Sequence, residues 1–284
     1  MIKLMDVSVE TAAKAASFGM AFSSSGVPSS ACLPLPEFLS KFDSIEMPVE
    51  ILELKDAAKH LAGAINGFQY FHAGSVIDPE VAKNLPRASE SLYQEFADYA
   101  EKIFPLLAEK GIRTVSFDPG MNAILNDPSS AASVMRLLRM IEPAVLRSNI
   151  QILLPFSLPC AGKETPDDMV RFLRSSMIPG LKVRLDIHPH KIPPGAMNPE
   201  SLAGTLLLEV KSLMIRYDAG AGNFPVAEHI LPWVKKLYSI GMHGPFFSAP
   251  SGIPFDRFAH EAEIWTEIIK GLRNSQDKIK NPVK

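Results

Sequence analysis

The sequence predicts one α/β domain of the (β/α)8 type, a TIM barrel, and three observations carry that reading. From residue 111 onward, short apolar strands that end in polar residues alternate with amphipathic helices. Counted from the start, the alternation adds up to eight strand–helix units over about residues 18–273. No G-x-G-x-x-G follows any strand, which removes the main signature of an open, doubly wound sheet. The length of 284 residues suits one such barrel, since the fold typically takes roughly 250. The whole chain, 1–284, therefore reads as a single domain, with a solvated tail over 274–284 that carries Lys278, Lys280 and Lys284.

Eight strands are expected: Phe18–Ser23, Val49–Leu54, Phe68–His72, Ile112–Asp118, Ile150–Ser157, Leu181–His188, Leu213–Asp218 and Tyr238–His243. The helices between them announce their starts. Asp127-Pro128, Thr165-Pro166 and Asn198-Pro199 each put a capping side chain before a proline at the first helical position. Asp168, three residues after Thr165, makes a near capping box. Val134, Leu137, Leu138 and Ile141 have helical spacing after Asp127, as do Leu202, Leu206, Leu207 and Val210 after Asn198. A long helix carries Leu92, Phe96, Tyr99, Ile103 and Leu107 on one face, ends at Gly111, and should kink at Pro105. The last helix, Phe255–Arg273, buries Phe258, Trp265, Ile268 and Leu272.

Composition narrows the function classes. Hydrophobic residues make up 46% of the chain and charged ones 21%, enough apolar surface to fold without a disulfide or a structural metal. The net charge is −2, and no basic stripe lines up to neutralise a phosphate backbone, which argues against nucleic-acid partners. No apolar run is long enough for a bilayer. The two cysteines, Cys32 and Cys160, are too few for a disulfide framework. With no signal-peptide pattern at the N-terminus, the expectation is a cytoplasmic protein with no membrane partner.

Side chains alternate along a strand, and the outer face of a barrel strand must be apolar because helices cover it. Val183, Leu185 and Ile187 oppose Arg184, Asp186 and His188; Leu213, Ile215 and Tyr217 oppose Met214, Arg216 and Asp218; Val115 and Phe117 oppose Thr114, Ser116 and Asp118. The polar sets must then point into the barrel, and each reaches its acid near the C-terminal end of its strand, where barrels bind ligands. Asp186, His188 and Asp218 are the expected catalytic groups, because ionisable groups on an inward face carry a desolvation cost. Glu53, His72, Asp118, Arg216 and His243 occupy strand-end positions suited to holding a substrate. Several plainer roles stand beside these. Asp118 can cap the turn at Pro119-Gly120, Arg184 can be a buried partner of the acids, and His72 and His243 can be packed.

The strand segments GIRTVSFDPG, LLPFSLP and VRLDIHPH resemble those of the xylose isomerase-like barrel superfamily, and the likeness extends over roughly residues 18–273. That group includes sugar-phosphate isomerases and epimerases and the endonuclease IV-type repair enzymes. The resemblance implies a divalent ion (Mn, Mg or Zn). In active members it is held by a Glu ending the fifth strand, an Asp and a His in a D-x-x-H run at the sixth, a His near the seventh and a Glu ending the eighth. This chain departs from the pattern. Its fifth strand, LLPFSLP, has Pro155 and Ser157 and no carboxylate; the sixth keeps Asp186 in the run Asp-Ile-His-Pro-His; the seventh has Arg216 and Asp218; the eighth has no Glu. The ion would fall to Asp186, His188, His190 and Asp218, with Glu53 or His243.

What the resemblance implies is a sugar or sugar-phosphate isomerase or epimerase that moves a proton beside a carbonyl with help from a metal. The missing Glu ligands keep open a degenerate barrel that binds a small polyol or anion without turnover. An endonuclease IV-type repair enzyme needs a multi-metal cluster and a basic groove, which charge and ligand count both disfavour. Weaker signals are the glycine-rich Asp218–Asn223 loop with Gly220 and Gly222, the Ser251-Gly252 pair, Ser23-Ser24-Ser25-Gly26, the aromatic pair Phe246-Phe247, and Cys160 near the rim.

Overall fold

A computed structural model describes residues 17–21, 42–47, 49, 70–75, 84, 88–193, 196, 198–218, 222, 227–242, 244–251, 260 and 263–271. Eight parallel strands close into a barrel in sequence order: β1 (Phe18–Ala21), β2 (Ser44–Met47), β3 (Tyr70–Ser75), β4 (Thr114–Ser116), β5 (Gln151–Leu158), β6 (Lys182–Ile187), β7 (Val210–Asp218) and β8 (Phe246–Ser251). Closure is made by β8 on β1, with Phe18 beside Phe246 and Met20 beside Ser248. The fold class expected from the alternating pattern is the one found.

The outward parity also holds. Ile45 and Met47, Val115 and Phe117, Ile152, Leu154 and Phe156, Val183, Leu185 and Ile187, and Leu213 and Ile215 all enter one continuous apolar cluster between barrel and helices. The opposite parity fills the barrel itself. Met214, Phe247 and Ala249 form a separate small apolar cluster on the β7–β8 side. Across from it, Glu46, Ser116, Arg184 and Asp186 are buried polar groups.

The helices begin where the capping signals put them. α1 spans Glu90–Glu109 and starts at Ser89, whose hydroxyl accepts from Leu92 N–H. A short α2 (Met121–Ile124) follows β4. In α3 (Pro128–Ser148), Asp127 accepts from Ser129 and Ser130 N–H. α4 (Pro166–Ser176) carries a complete capping box between Thr165 and Asp168, and α5 (Pro199–Ala203) is capped by Asn198. α6 covers Ala227–Ser239.

Four elements differ from expectation. β2 lies at Ser44–Met47, upstream of the expected Val49–Leu54; Val49 is already helical, and residues 50–54 lie outside the described residues. Of the expected strand Tyr238–His243, the described residues 238–242 form no strand. They hold the end of α6, which closes as Gly241 N–H meets Tyr238 C=O at 3.0 Å and Met242 N–H meets Leu237 C=O at 3.0 Å. Gly241 takes φ +89 there, a left-handed conformation that glycine adopts without penalty. The eighth strand follows at Phe246–Ser251 instead. The helix after Asn198 stops at Ala203, because Gly204 turns out of the helical region at φ 50, ψ −130; Leu206 and Leu207 sit in a 3-10 segment and Val210 opens β7.

In α1 the buried stripe is Tyr93, Ala97, Ala100, Ile103, Phe104 and Leu107, so Leu92, Phe96 and Tyr99 lie at its half-buried margin. The helix runs on through Pro105. Of the expected last helix, residues 263–271 are described as helical, with Trp265 fully buried; Phe258, Leu272 and the tail 274–284 lie outside the described residues. Among the described residues no helix is long and apolar enough to cross a membrane.

The capping box gives a direct stability test. Replacing Thr165 with Ala removes the hydroxyl that accepts from Asp168 N–H at 3.2 Å. It should cost about 1 kcal/mol in urea unfolding, with the urea m-value unchanged.

Candidate functional site

At the centre of the barrel sits Arg184, on β6 and only 3% exposed. Its guanidinium is committed on every side. Nε and Nη2 donate to the two carboxylate oxygens of Asp186 at 2.8 and 3.2 Å. Nη1 donates to Glu46 Oε1 at 3.0 Å and to Ser116 Oγ at 2.7 Å. Nη2 also lies 3.9 Å from Asp118 Oδ2. One side chain thus ties β6 to β2 and β4 through the barrel interior. The strand parity demands this meeting, since Arg184, Asp186, Ser116 and Glu46 all alternate with residues of the outer apolar layer.

A second guanidinium reaches the same acid. Arg216 on β7 donates from Nε to Asp186 Oδ2 at 2.5 Å. Asp186 is 2% exposed and Arg216 33%, so of the two arginines Arg216 is the one that meets solvent. Burial acts to raise the Asp186 carboxyl, but the Arg184 and Arg216 charges outweigh it and hold the group below the ordinary carboxylate range. Glu46 shifts the other way: burial pushes its carboxyl up, against the attraction of Arg184 and with repulsion from Asp186. Two acids in one network are therefore driven apart.

His188 follows β6 at the start of the 3-10 turn Pro189–Lys191, and its N–H donates to Leu158 C=O at 2.9 Å. Burial and the neighbouring Lys191 push its imidazole down to about 4, against the pull of Asp186. The ring is thus neutral at pH 7. His190 lies edge-on to it at 6.0 Å between ring centroids and is exposed. Asp118 accepts from Gly120 N–H at 3.0 Å, so it caps its turn while also facing Arg184. Asp218 ends β7 and is half-buried.

Asp186, Arg216 and Asp118 therefore meet through the guanidiniums, as the parity predicts, and Arg184 is the buried ion-pair partner. The ion site expected from Asp186, His188, His190 and Asp218 does not assemble. Among the described residues no group of three or more His, Cys, Asp or Glu side chains can hold a metal. The reason is local: both Asp186 oxygens already accept from guanidinium N–H groups. Glu53 and His243 lie outside the described residues. His72 is described only as backbone, in β3 beside Glu46 and Thr114.

Glu46 is the residue that sequence reasoning missed. Its signal is the alternation Ser44-Ile45-Glu46-Met47, in which Ile45 and Met47 face the outer core. Phe246 and Phe247, candidates for a lid, are instead packed in β8 and fully buried. The Asp218–Asn223 loop (apart from Asp218 and Gly222), Gly252 and Ser23–Gly26 lie outside the described residues.

A polar clamp braces the rim beside this centre. Asn122 on α2 donates to Ser157 C=O at 3.0 Å and accepts from Ser157 N–H at 2.8 Å. Asn122 and Asn126 both donate to the buried Glu164, at 3.1 and 2.8 Å. Gly162 suits that spot, because a Cβ would lie 2.4 Å from Glu164 Oε2 and 2.7 Å from Asn126 Nδ2 and would displace the ends of both side chains. Cys160, free and half-buried in the same loop, has its thiol pushed up to about 11 by burial and by Glu164, which opposes a nucleophilic role at neutral pH. Cys32 lies outside the described residues.

The closed sheet of eight parallel strands, with its charged centre near the strand ends, defines the class: this is a (β/α)8 barrel, the TIM-barrel fold. Among solved structures, the chain is similar to 3-keto-D-glucoside 4-epimerase from E. coli, with a TM-score of 0.61 and 12% identity, covering 89% of this chain and 99% of that one. It is similar also to D-psicose 3-epimerase from Clostridium cellulolyticum, solved with D-tagatose, with a TM-score of 0.61, 10% identity, and 91% and 98% covered. A xylose isomerase-like TIM barrel protein from Mycobacterium smegmatis, in complex with magnesium, gives 0.57 and 13%, with 91% and 98% covered. At these identities the likeness shows the fold. No protein-family profile and no curated protein matches the sequence.

Two predictions follow from the geometry. Arg184→Leu leaves Glu46 and Asp186 buried without their main partner and should cost about 3–5 kcal/mol in equilibrium unfolding. Glu46→Gln, which keeps a side chain able to accept from Arg184, should cost clearly less. Alkylation of Cys160 by iodoacetamide should be slow at pH 8 and should accelerate steadily as pH approaches the thiol pKa of about 11, read by mass spectrometry of the folded chain.

Proposed function

We propose that the barrel mouth binds a small sugar or sugar phosphate and that the chain is an isomerase- or epimerase-like enzyme. The reaction class is proton transfer beside a carbonyl. The observation that carries this reading is the Arg184–Asp186–Arg216–Glu46 network, set near the C-terminal ends of parallel strands in a fold whose similar solved structures include sugar epimerases. Charge has been brought into an apolar interior at a desolvation cost, and barrels place chemistry at that end.

The roles follow from the local environments. Arg216, the more exposed of the two arginines, can donate N–H groups to the polar end of the ligand and hold it over the strand ends. His188, uncharged at pH 7 and near both Asp186 and Arg216, takes the proton beside the carbonyl and returns it to one face or the other. Asp186 is a positioning residue: it stays ionised and holds both guanidiniums. Asp118 and Asp218, at the strand ends, accept from sugar hydroxyls. No step is assigned to a divalent ion, since the described donor groups do not form a site for one.

A second reading is a barrel that binds a sugar without turning it over. It is favoured by Asp186 being locked between two arginines rather than open to substrate.

Deuterium exchange separates the two. The full chain would be incubated in D2O with a panel of ketoses and their phosphates, and exchange at the carbon beside the carbonyl followed by proton NMR. The enzyme reading expects exchange that falls by roughly a hundredfold or more in His188→Gln. Binding without exchange would move the assignment to the second reading. Absence of both binding and exchange across the panel would end both.

A further inference from the structure

We infer that the barrel mouth recognises an anionic group on its ligand, a carboxylate or a phosphate, through the terminal edge of Arg216, and that this recognition needs no divalent ion. The inference rests on the reading that the mouth is the ligand site, and it names the ligand class.

The two arginines divide the work. Arg184 is spent: its N–H groups go to Asp186, Glu46 and Ser116, and it is out of reach of solvent. Arg216 uses only Nε, on Asp186 Oδ2. Its Nη1 and Nη2 make no hydrogen bond to a described residue. It is also the higher of the two in the barrel. Asp186 pairs in register with Met214, so Arg216 stands two residues further toward the C-terminal rim. A guanidinium pinned at Nε has its plane fixed, and the edge formed by its two terminal nitrogens is left available. That edge matches two oxygens of a carboxylate or phosphate, and a held plane loses less freedom on binding.

The charge arrangement supports the same assignment. Asp186 is shared between the two guanidiniums, so Arg216 has no carboxylate of its own among the described residues and engages it through Nε alone. Glu46 lies deeper, on Arg184. Among the described residues, Asp118 on the β4 side and Asp218 two residues beyond Arg216 disfavour a second anionic group. They suit hydroxyls, which can donate to them. The ligand is thus a polyol with one anionic end. The fixed positive charge that a metal ion would bring is here carried by a side chain.

The test is isothermal titration of the full chain in EDTA with four-, five- and six-carbon aldonates, their matched neutral alditols, and the corresponding alditol phosphates. The expected result is that an aldonate or an alditol phosphate binds roughly tenfold or more tightly than its neutral partner. The aldonate and phosphate arms identify which anion is preferred. Arg216→Gln should abolish the preference, and Arg216→Lys should retain part of it. Circular dichroism would establish that the variants fold. Should Arg216→Gln fail to fold, the wild-type comparison of charged and neutral partners decides on its own. Equal affinities, a preference that appears only when Mg or Mn is restored, or a preference that survives in a folded Arg216→Gln would each overturn the inference. If neutral alditols bind and no anion is preferred, this inference alone falls. If nothing in the panel binds, the assignment of the mouth as a sugar site falls with it.

Discussion

The constraint on which the interior depends is the cost of burying the Arg184 charge. A lone guanidinium in an apolar barrel would be prohibitively unfavourable, and the chain offsets it by bringing Asp186, Glu46 and Ser116 to the same point. Those partners come from β6, β2 and β4, strands separated in sequence by up to 138 positions between bonded residues. The barrel can hold them together only in the correct strand register, because a shift of one residue would turn each polar group outward into the helix layer. The network is thus a check on closure.

Much of this was legible in the sequence, and the physical reason is periodicity. In β4, β6 and β7 the alternation of apolar and polar residues is long enough to define a face, and the faces assigned to Ser116, Arg184, Asp186 and Arg216 are the ones found. Capping residues before proline marked the helix starts for a similarly local reason. Where the signal failed, tertiary context decided. Val49–Leu54 has a strand-like composition, yet the shorter Ser44–Met47 carries β2. Tyr238–His243 looked like a strand because helix end and apolar run coincide, and Gly241 settles the matter by its positive φ.

The site was less legible than the fold. Pairing is a property of three dimensions, so the sequence could place Asp186 and Arg216 on inward faces without showing that one would consume the other. The ion-ligand reading treated Asp186 as an open donor, whereas it is saturated by two guanidiniums. Glu46 escaped notice because the strand-like composition of Val49–Leu54 drew the expected second strand downstream of it. The similar solved structures, at 10–13% identity, show the frame alone.

The Asn122–Glu164 clamp has a mechanical consequence. Four hydrogen bonds join the segment after β4 to the end of β5 and the loop beyond it, and Gly162 leaves room for the Glu164 and Asn126 side chains to meet. That arc of the rim behaves as one stiff plate. A molecule entering or leaving the barrel cannot prise it apart without breaking all four bonds together, so any breathing of the entrance must be taken up around the rest of the circumference.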